Sequence, residues 1–339
     1  MKTERLEVTS GKYDESIKRA AEILKSGGIV SIPTETVYGL SAAADNDDAI
    51  HNVFAAKGRP QDNPLIVHIT DMEMLETVAC DIPQAAIECA KRFWPGPFTM
   101  VLKRGENVAD SVCAGLDTVA IRMPSHPIAL DIIRAAGPLA APSANTSGKP
   151  SPTTAQHVLD DLDGKIDAAI MAGSCDVGLE STVITLATNP PRLLRPGAVT
   201  AEQLREVLPD IVVDKAVLSQ PEKDAKVASP GMKYKHYSPN TDVYLVEGSE
   251  EEFVAFVNDI DDRVAVCFEH ESQNVASPKI CYGDGNNEST LAHEVFDVLR
   301  SVDALGMSKV YIHAPSKNGV GLAVYNRLIR AAAFKVIEL

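Results

Sequence analysis

Two polar segments that follow apolar runs contain the side chains best suited to chemistry. Residues 29–40 have the sequence IVSIPTETVYGL, and residues 57–69 have the sequence KGRPQDNPLIVHI. In both, a β-branched run meets a turn rich in hydroxyl, carboxylate or cationic groups, and open α/β sheets place their ligands at such strand ends. Lys57 and Arg59 are separated by one glycine and followed by a proline, a stiff arrangement suited to gripping phosphate groups. The sequence therefore predicts an enzyme that handles an anionic small molecule.

Further polar segments follow other predicted strands. Arg122 ends the apolar run TVAIR, and its planar guanidinium matches a carboxylate. Residues 142–148 (PSANTSG) crowd hydroxyls and an amide into one turn, and residues 180–183 (ESTV) and 194–197 (LRPG) repeat the arrangement. These segments extend the candidate site over much of the chain.

Each of these features taken alone has a structural explanation. A Pro-Ser-x-Asn turn is usually a capping or Asx turn. A single lysine or arginine is usually solvated, and His68 on an apolar strand is more often a core residue than a ligand-binding one. The joint occurrence of these segments is what favours a ligand site.

Composition limits the classes of protein that fit. A chain of 339 residues with 45% hydrophobic residues should hold about two domains. It has no apolar run long enough to span a membrane and no apolar N-terminal signal region, and its six cysteines are scattered without a CxxC pair, which predicts a reduced, cytoplasmic protein. The net charge of −15 argues against a general nucleic-acid binder. Residues 240–339 hold sixteen acidic and eight basic side chains, so an anion site belongs to the earlier part.

Helical periodicity alternates with short β-branched runs along most of the chain. The predicted helices are 14–26, 47–56, 83–93, 127–136, 153–162, 201–208, 250–258, 290–305 and 322–333. The predicted strands are 29–32, 65–69, 98–102, 118–122, 139–141, 168–171, 182–186, 192–194, 243–246, 264–268, 279–281 and 310–313. This pattern predicts an α/β fold with a twisted, partly parallel open sheet in a catalytic domain (1–211). A Lys-, Ser- and Pro-rich linker or lid (212–241) and a smaller Rossmann-like α/β domain (242–339) follow.

Several common catalytic signatures are absent from the sequence. It contains no GxxxxGK[ST] phosphate loop and no GxSxG elbow, and its histidines lack zinc-ligand spacing. The Gly-Val-Gly at 319–321 lacks the third glycine of a dinucleotide fingerprint. The chemistry must therefore come from the dispersed polar segments.

Together these segments resemble the threonylcarbamoyl-AMP synthase family in its long form, which has an added C-terminal domain. The similar motifs, in chain order, are PTETVYGL, KGRP with NPLIVHI, AIRMP, APSAN with SG, STV and LRPG; the run SPGMKYKHYSP resembles the interdomain segment. The resemblance implies that L-threonine, bicarbonate or CO₂, and ATP give threonylcarbamoyl-adenylate and pyrophosphate. A separate transferase, met only transiently, would use this product to form threonylcarbamoyladenosine next to the anticodon of tRNA.

The resemblance also implies a role for each matching residue. The expected catalytic residues are Lys57, Arg59, Ser143 and Asn145. The expected ATP-binding residues are Lys57, Arg59, Asn63, Thr118, Ser143, Asn145, Ser151, Arg195, Tyr234 and Tyr237. The expected threonine-binding residues are Thr36, His68, Arg122, Ala141 (through its backbone) and Ser181.

The implied reaction depends on positioning and charge neutralisation more than on a strong nucleophile. Mg²⁺ is expected to accompany ATP, although the sequence identifies neither its ligands nor a general base for the threonine amine. Tyr234 or Tyr237 would cover the nucleotide and exclude water. The C-terminal domain is expected to anchor this lid, and we expect neither stable tRNA binding nor membrane association.

Two other functions remain as alternatives at this stage. One is a carbamoyl-adenylate-forming enzyme of metalloenzyme maturation, which normally occurs in longer chains with zinc-finger motifs that this sequence lacks. The other is a non-catalytic RNA-binding module, which the negative net charge and the lack of interleaved aromatic and cationic residues disfavour.

Overall fold

Short strands and helices alternate along the part of the chain that precedes residue 220. The structure is a computed structural model and describes residues 2–219 and 237–339. The strands of the first range are β1 (Glu4–Glu7), β2 (Val30–Ile32), β3 (Gly39–Ala43), β4 (Ile66–His68), β5 (Phe98–Lys103), β6 (Thr118–Arg122), β7 (Leu139–Ala141), β8 (Ala168–Met171), β9 (Thr182–Thr185), β10 (Arg192–Arg195) and β11 (Val212–Val213). Its helices are α1 (Tyr13–Lys25), α2 (Asp47–Lys57), α3 (Met72–Val78), α4 (Gln84–Phe93), α5 (Asp110–Cys113), α6 (Pro127–Ala136), α7 (Ala155–Leu162) and α8 (Ala201–Val207), with a 3₁₀ turn at Lys215–Val217.

The strands of residues 2–219 form one mixed sheet in the order β1-β8-β2-β3-β7-β4-β6-β5-β9-β10-β11. Strands β4 and β6 are parallel and place His68 opposite Arg122. Strands β9 and β10 are antiparallel, with Arg195 opposite Val183 near the start of β9. The pairing therefore draws polar strand ends from distant parts of the sequence towards one region of the sheet.

Local signals in the sequence define helix α2, which carries Lys57. The Asn46 side chain accepts a hydrogen bond from the Ala49 amide and caps the first turn. Gly58 ends the helix in the left-handed conformation, with φ of 61°. Lys57 is thus the last helical residue, at the point where the chain turns towards Arg59.

The core of this part lies between the sheet and its helices. Leu24 of α1 and Ile132 of α6 are fully buried, and α1 packs against α6 over one end of the sheet. Burying one such side chain contributes about 1.5–3 kcal/mol. This apolar layer supports the short strands on which the polar groups are mounted.

Residues 237–339 form a second, smaller α/β unit. Its strands are β12 (Asp242–Glu247), β13 (Arg263–Cys267), β14 (Lys279–Cys281), β15 (Lys309–His313) and β16 (Val336–Glu338). Its helices are α9 (Glu250–Asn258), α10 (Glu288–Ser301) and α11 (Gly321–Ala331), with 3₁₀ turns at Glu269–Asn274 and Val302–Leu305. The sheet order is β14-β13-β15-β12-β16, and the four strand pairings are all parallel, as expected of a Rossmann-like domain.

The two units are joined by apolar and ionic contacts. Val37 and Leu179 of the first unit belong to the apolar cluster of the second. Arg300 of α10 donates to the Pro150 carbonyl at 2.6 Å and to Asp161 Oδ2 at 3.0 Å. Helix α11 makes a third set of contacts, through Arg327, which reaches the candidate site described below.

The predicted α/β class and the partly parallel sheet are confirmed. Strand β1 was missed because its sequence, ERLE, contains one apolar residue, and β3 (GLSAA) was missed because it lacks β-branched side chains. Strand β11 and the 3₁₀ turn after it lie within residues predicted as linker, and the domain boundaries remain predictions. None of the helices in the described ranges has the length and apolar character needed to cross a membrane.

Candidate active site

A cleft that encloses about 750 Å³, counting the open solvent at its mouth, is lined by polar side chains from both ends of the first unit's sequence and by Tyr237. It lies where the ends of β4, β6, β7 and β10 meet the loop after β2 and the segment before β9. The cleft is therefore built where the sheet brings polar strand ends together.

Arg122 is held at the end of β6 by three neighbours, although only 3% of its surface is exposed. Its Nη1 donates to Thr36 Oγ1 at 2.8 Å, and its Nε donates to the Gly96 carbonyl at 3.3 Å. Its Nη2 lies 2.6 Å from Oε1 of Glu35. Burial is the largest influence on the pKa of Glu35 and acts to raise it, but the charge of Arg122, its hydrogen bond and two backbone N–H groups together lower the pKa. The pair is therefore ionised, and the guanidinium keeps further N–H groups for a second anion.

His68 lies beside Arg122 as a neutral ring. Burial and then the charge of Arg122 lower its pKa to about 3. Its Nδ1 lies 3.1 Å from the Ile66 carbonyl, which can only accept, so Nδ1 carries the proton. A ring with this pKa is too weak a base to deprotonate an ammonium group at neutral pH. His68 can therefore act as a hydrogen-bonding group in the cleft.

Lys57 fixes the turn that contains Ser143 and Asn145. Its ammonium donates to the carbonyls of both residues at 2.5 Å and to Asn145 Oδ1 at 3.3 Å. Burial, followed by the charge of Arg59, lowers its pKa well below the ordinary value. The Ser143 hydroxyl also donates to Asn145 Oδ1 at 2.5 Å. Because an ammonium has three N–H groups, these contacts use its whole donor set on the protein itself.

Arg195 adds a second buried guanidinium group to the cleft and is held there by Ser181. Arg195 donates through Nε to the Ser181 carbonyl at 3.0 Å and through Nη2 to Ser181 Oγ at 3.2 Å. Burial lowers the pKa of Arg195 to about 10, so it remains charged at neutral pH. Arg59 also lines the cleft and donates to the carbonyls of Asn63 and Pro64 at 3.2–3.4 Å. Two guanidinium groups thus accompany a set of hydroxyl groups.

Glu180 connects the cleft to the second unit. The Ser151 hydroxyl donates to its Oε1 at 2.5 Å, and Arg327 Nε donates to its Oε2 at 2.8 Å. Burial is the largest influence on the pKa of Glu180 and acts to raise it, but the charges of Arg327 and Arg195, together with the hydrogen bonds from Ser151 and Arg327, lower the pKa. Tyr237, which has φ of 62°, lines the cleft, and its ring centroid lies 5.9 Å from the Arg327 guanidinium carbon.

Most of the residues expected from the sequence line this one cleft. From the expected ATP-binding set, these are Lys57, Arg59, Ser143, Asn145, Ser151, Arg195 and Tyr237. From the expected threonine-binding set, these are Thr36, His68, Arg122, Ala141 and Ser181. The structure therefore brings both sets together, while the role of each residue remains a prediction.

Two expected residues, Asn63 and Thr118, are not among the described residues that line the cleft. Asn63 is buried, with 1% of its surface exposed. Thr118 is the first residue of β6, whereas Arg122, which lines the cleft, is the last. Tyr234 lies outside the described residues. Sequence reasoning also missed two carboxylates, Glu35 and Glu180. Both stand inside motifs that were recognised, each directly before a residue expected to bind threonine, and that position was the available signal.

The carboxylates at this site do not fit a Mg²⁺ ion held by the protein. Glu35 is paired with Arg122, and both oxygens of Glu180 accept hydrogen bonds. The described ranges contain no cluster of three or more His, Cys, Asp or Glu residues that could hold a metal ion. A magnesium ion at this site would have to depend on the oxygens of a bound substrate and on water.

Comparison with known proteins identifies the family. Residues 22–197 match the family described as "Telomere recombination", and residues 199–333 match "Threonylcarbamoyl-AMP synthase, C-terminal domain". A threonylcarbamoyl-AMP synthase from Bacillus subtilis is 44% identical over 349 aligned positions, which cover 100% of both chains. This chain belongs to the threonylcarbamoyl-AMP synthase family. The family resemblance seen in the sequence is thereby confirmed.

Other members of the synthase family match over nearly the whole chain. The threonylcarbamoyl-AMP synthase of Pyrococcus abyssi is 43% identical over 95% of this chain and 96% of its own. The crystal structure of P. abyssi Sua5 complexed with L-threonine matches with a TM-score of 0.91 at 40% identity, covering 100% of both chains. Matches of this extent to synthases do not support the two alternative functions.

Acidification tests the neutral state of His68. Below the ordinary histidine pKa of 6.5 the unfolded chain takes up a proton that the folded chain takes up only near pH 3. His68 therefore makes stability fall with decreasing pH in this window, by about 1.4 kcal/mol per pH unit at full uptake. We expect urea denaturation between pH 7 and 4.5 to show a shallower loss of stability in His68→Gln. Exposed His51→Gln is the control, and equal slopes in wild type and His68→Gln would contradict the prediction.

Replacement of Lys57 by Met tests its hold on the 143–145 turn. The change leaves buried carbonyls without their donor, which costs about 1–3 kcal/mol for each unsatisfied group. We expect a lower urea midpoint together with faster amide hydrogen exchange in residues 143–149. Exposed Lys91, whose ion pair with Glu88 is on the surface, provides the control variant Lys91→Met. Wild-type stability in Lys57→Met would show that the ammonium does not hold the turn.

Proposed function

We propose that this chain forms threonylcarbamoyl-AMP and pyrophosphate from L-threonine, bicarbonate or CO₂, and ATP. The observation that carries the proposal is the single cleft in which Arg122 faces the same space as Arg59 and Arg195. One arginine can take an amino-acid carboxylate while the others neutralise phosphate groups. Membership of the synthase family makes this the reaction that best fits the arrangement.

The end of the cleft near β6 is proposed to bind threonine. Arg122 binds the carboxylate, and Thr36, His68 and Ser181 surround the rest of the molecule together with the backbone of Ala141. All five line the cleft. Since His68 is neutral and carries its proton on Nδ1, it contributes hydrogen bonding without adding a second positive charge. Because Glu35 balances the charge of Arg122, the threonine carboxylate is held here by the remaining N–H groups of Arg122 rather than by a net positive charge.

The adjoining part of the cleft is proposed to bind ATP. Arg59 and Arg195 neutralise phosphate groups, and Ser143, Asn145 and Ser151 supply hydroxyl and amide groups. Lys57 is proposed to act chiefly through the turn that it holds, because its N–H groups already meet protein oxygens. The nucleotide roles expected for Asn63, Thr118 and Tyr234 remain part of the proposal on the family resemblance alone.

The chemistry requires that two bound substrates are aligned. The threonine amine takes up CO₂ with loss of a proton, and a carbamate oxygen then attacks the α-phosphorus while pyrophosphate leaves. The chain contributes orientation and fixed positive charge, which are large effects in phosphoryl chemistry. Tyr237, buried to 6% exposure, covers one side of the cleft and limits the access of water to the labile product.

Some wider assignments belong to the same proposal. Mg²⁺ enters only as the ion that accompanies ATP, held by phosphate oxygens and water. The product passes to a separate transferase for threonylcarbamoyladenosine formation in tRNA, which places the protein in the cytoplasm. The proposed division is a catalytic domain (1–211), a linker (212–241) and a C-terminal domain (242–339).

Incorporation of labelled bicarbonate tests the proposed reaction directly. We expect ¹⁴C-bicarbonate and ATP to yield a labelled adenylate and pyrophosphate only when L-threonine is present, because threonine supplies the attacking carbamate. The products are separated by chromatography, and Arg59→Ala should lose most of the signal. Label uptake that is indifferent to threonine would refute the proposal, and L-serine serves as the comparison substrate.

Replacement of Glu35 by Gln tests where the carboxylate of threonine binds. The variant keeps the size of the side chain but leaves the buried Arg122 without its counter-charge, which costs about 3–5 kcal/mol. Threonine can then restore an anion beside Arg122. We expect the ligand-free melting temperature to fall, and the rise produced by saturating L-threonine to exceed that of wild type. Exposed Glu106→Gln is the control, and an equal rise in Glu35→Gln and wild type would argue against threonine at Arg122.

A further inference from the structure

Arg327 is a fully buried cation that the second unit inserts into the first. It lies on α11 and has 0% exposure. Its Nε donates to Glu180 Oε2 at 2.8 Å and its Nη2 to the Glu180 carbonyl at 3.1 Å. Its Nη1 donates to the Pro196 carbonyl at 2.8 Å. One guanidinium therefore ties together two segments of the first unit, one at Glu180 and the other at Pro196.

The residues bound by Arg327 are sequence neighbours of two residues proposed to bind substrate. Glu180 directly precedes Ser181, and Pro196 directly follows Arg195. The two neighbours are themselves joined, since Arg195 donates to the carbonyl and hydroxyl of Ser181. Arg327 thus fixes the spacing of this side of the cleft from behind, without lining the cleft itself.

The Glu180 carboxylate links Arg327 to two residues that line the cleft, Ser151 and Arg195. It accepts the Ser151 hydroxyl at 2.5 Å, and it is the oppositely charged group that acts on both Arg327 and Arg195. Without Arg327, Glu180 would attract Arg195 away from Ser181 because a buried carboxylate needs a counter-charge. The guanidinium also lies 5.9 Å from the centroid of the Tyr237 ring, which lines the cleft.

A second buried arginine shows what a purely structural role in this unit looks like. Arg263 has 4% exposure and donates to the carbonyls of Val257, Ala276 and Pro278. All three acceptors belong to the second unit. Arg327 differs because three of its hydrogen bonds cross to the first unit, where they end on Glu180, which lines the cleft, and on Pro196, which follows Arg195.

We propose that Arg327 is a positioning residue for the synthase reaction, through which the C-terminal unit sets the nucleotide side of the cleft. This inference rests on the proposed function. It concerns the placement of Arg195, Ser151 and Tyr237 and of one threonine-side residue, Ser181, whereas Arg122, Thr36 and His68 lie outside its contacts. Loss of Arg327 should therefore weaken the use of ATP more than the use of threonine.

The test compares steady-state kinetics of the full chain and three variants at a temperature where all are folded. For Arg327→Met we expect kcat/KM for ATP to fall about 100-fold, the effect of a misplacement near 1 Å. The KM for threonine should change less than about threefold, because uniform binding at that end is retained. Arg263→Met is the matched control, and it should lower the melting temperature while keeping turnover within about twofold of wild type.

The double variant Arg327→Met with Glu180→Gln separates stability from positioning. Removing both charges relieves the uncompensated buried carboxylate, so the melting temperature should recover towards wild type. Turnover should stay low because the donors to the Glu180 backbone and to Pro196 are still missing.

Three outcomes decide the matter. Wild-type ATP kinetics in Arg327→Met, or recovery of turnover together with stability in the double variant, would overturn the positioning role while leaving the proposed reaction in place. A wild-type chain that forms no threonine-dependent adenylate would instead overturn the proposed function and the inference that rests on it.

Discussion

Burying a cation costs several kcal/mol unless oxygen atoms are held in place to meet it, and this constraint shapes the cleft. Lys57, Arg122, Arg195 and Arg327 are each at most 7% exposed. Each is met by carbonyl, hydroxyl or carboxylate oxygens from segments remote in sequence. Because these oxygens cannot move without leaving a charge unmet, the loops around the cleft are fixed before any substrate arrives. The contacts that compensate these buried cations therefore also preorganise the cleft, as catalysis by positioning requires.

The mixed sheet makes this network possible. Parallel pairing of β4 and β6 puts His68 level with Arg122, while antiparallel pairing of β9 and β10 returns Arg195 to the Ser181 side. Close approach of backbone is needed as well. A Cβ on Gly197 would lie 2.4 Å from the Thr182 amide nitrogen, so the chain after Arg195 requires a glycine there.

The sequence predicted the α/β class, most helices and the majority of the residues that line the cleft. Strong periodicity made this possible for elements such as α6, and the ordered motifs did so for Thr36, His68 and Arg195. What could not be predicted depends on tertiary contact. Lys57 appeared to be a free phosphate ligand, because nothing local shows that its ammonium meets the carbonyls of a turn 86 residues away. Arg327 was missed for the same reason, since an arginine on an amphipathic helix ordinarily faces solvent.

The separation of Glu180 from Arg327 also has a consequence for the order in which the molecule is completed. The two residues are 147 positions apart, and the chain is made from its N-terminus. At about 5–20 residues per second, Glu180 leaves the site of synthesis roughly 7–30 s before its partner exists. During that interval the nascent first unit carries an acidic group that burial would penalise, so it gains by keeping this edge open to water. The wall behind Ser181 and Arg195 therefore lacks one of its buried contacts until α11 has been made, and a ribosome-bound fragment without α11 holds an unfinished cleft.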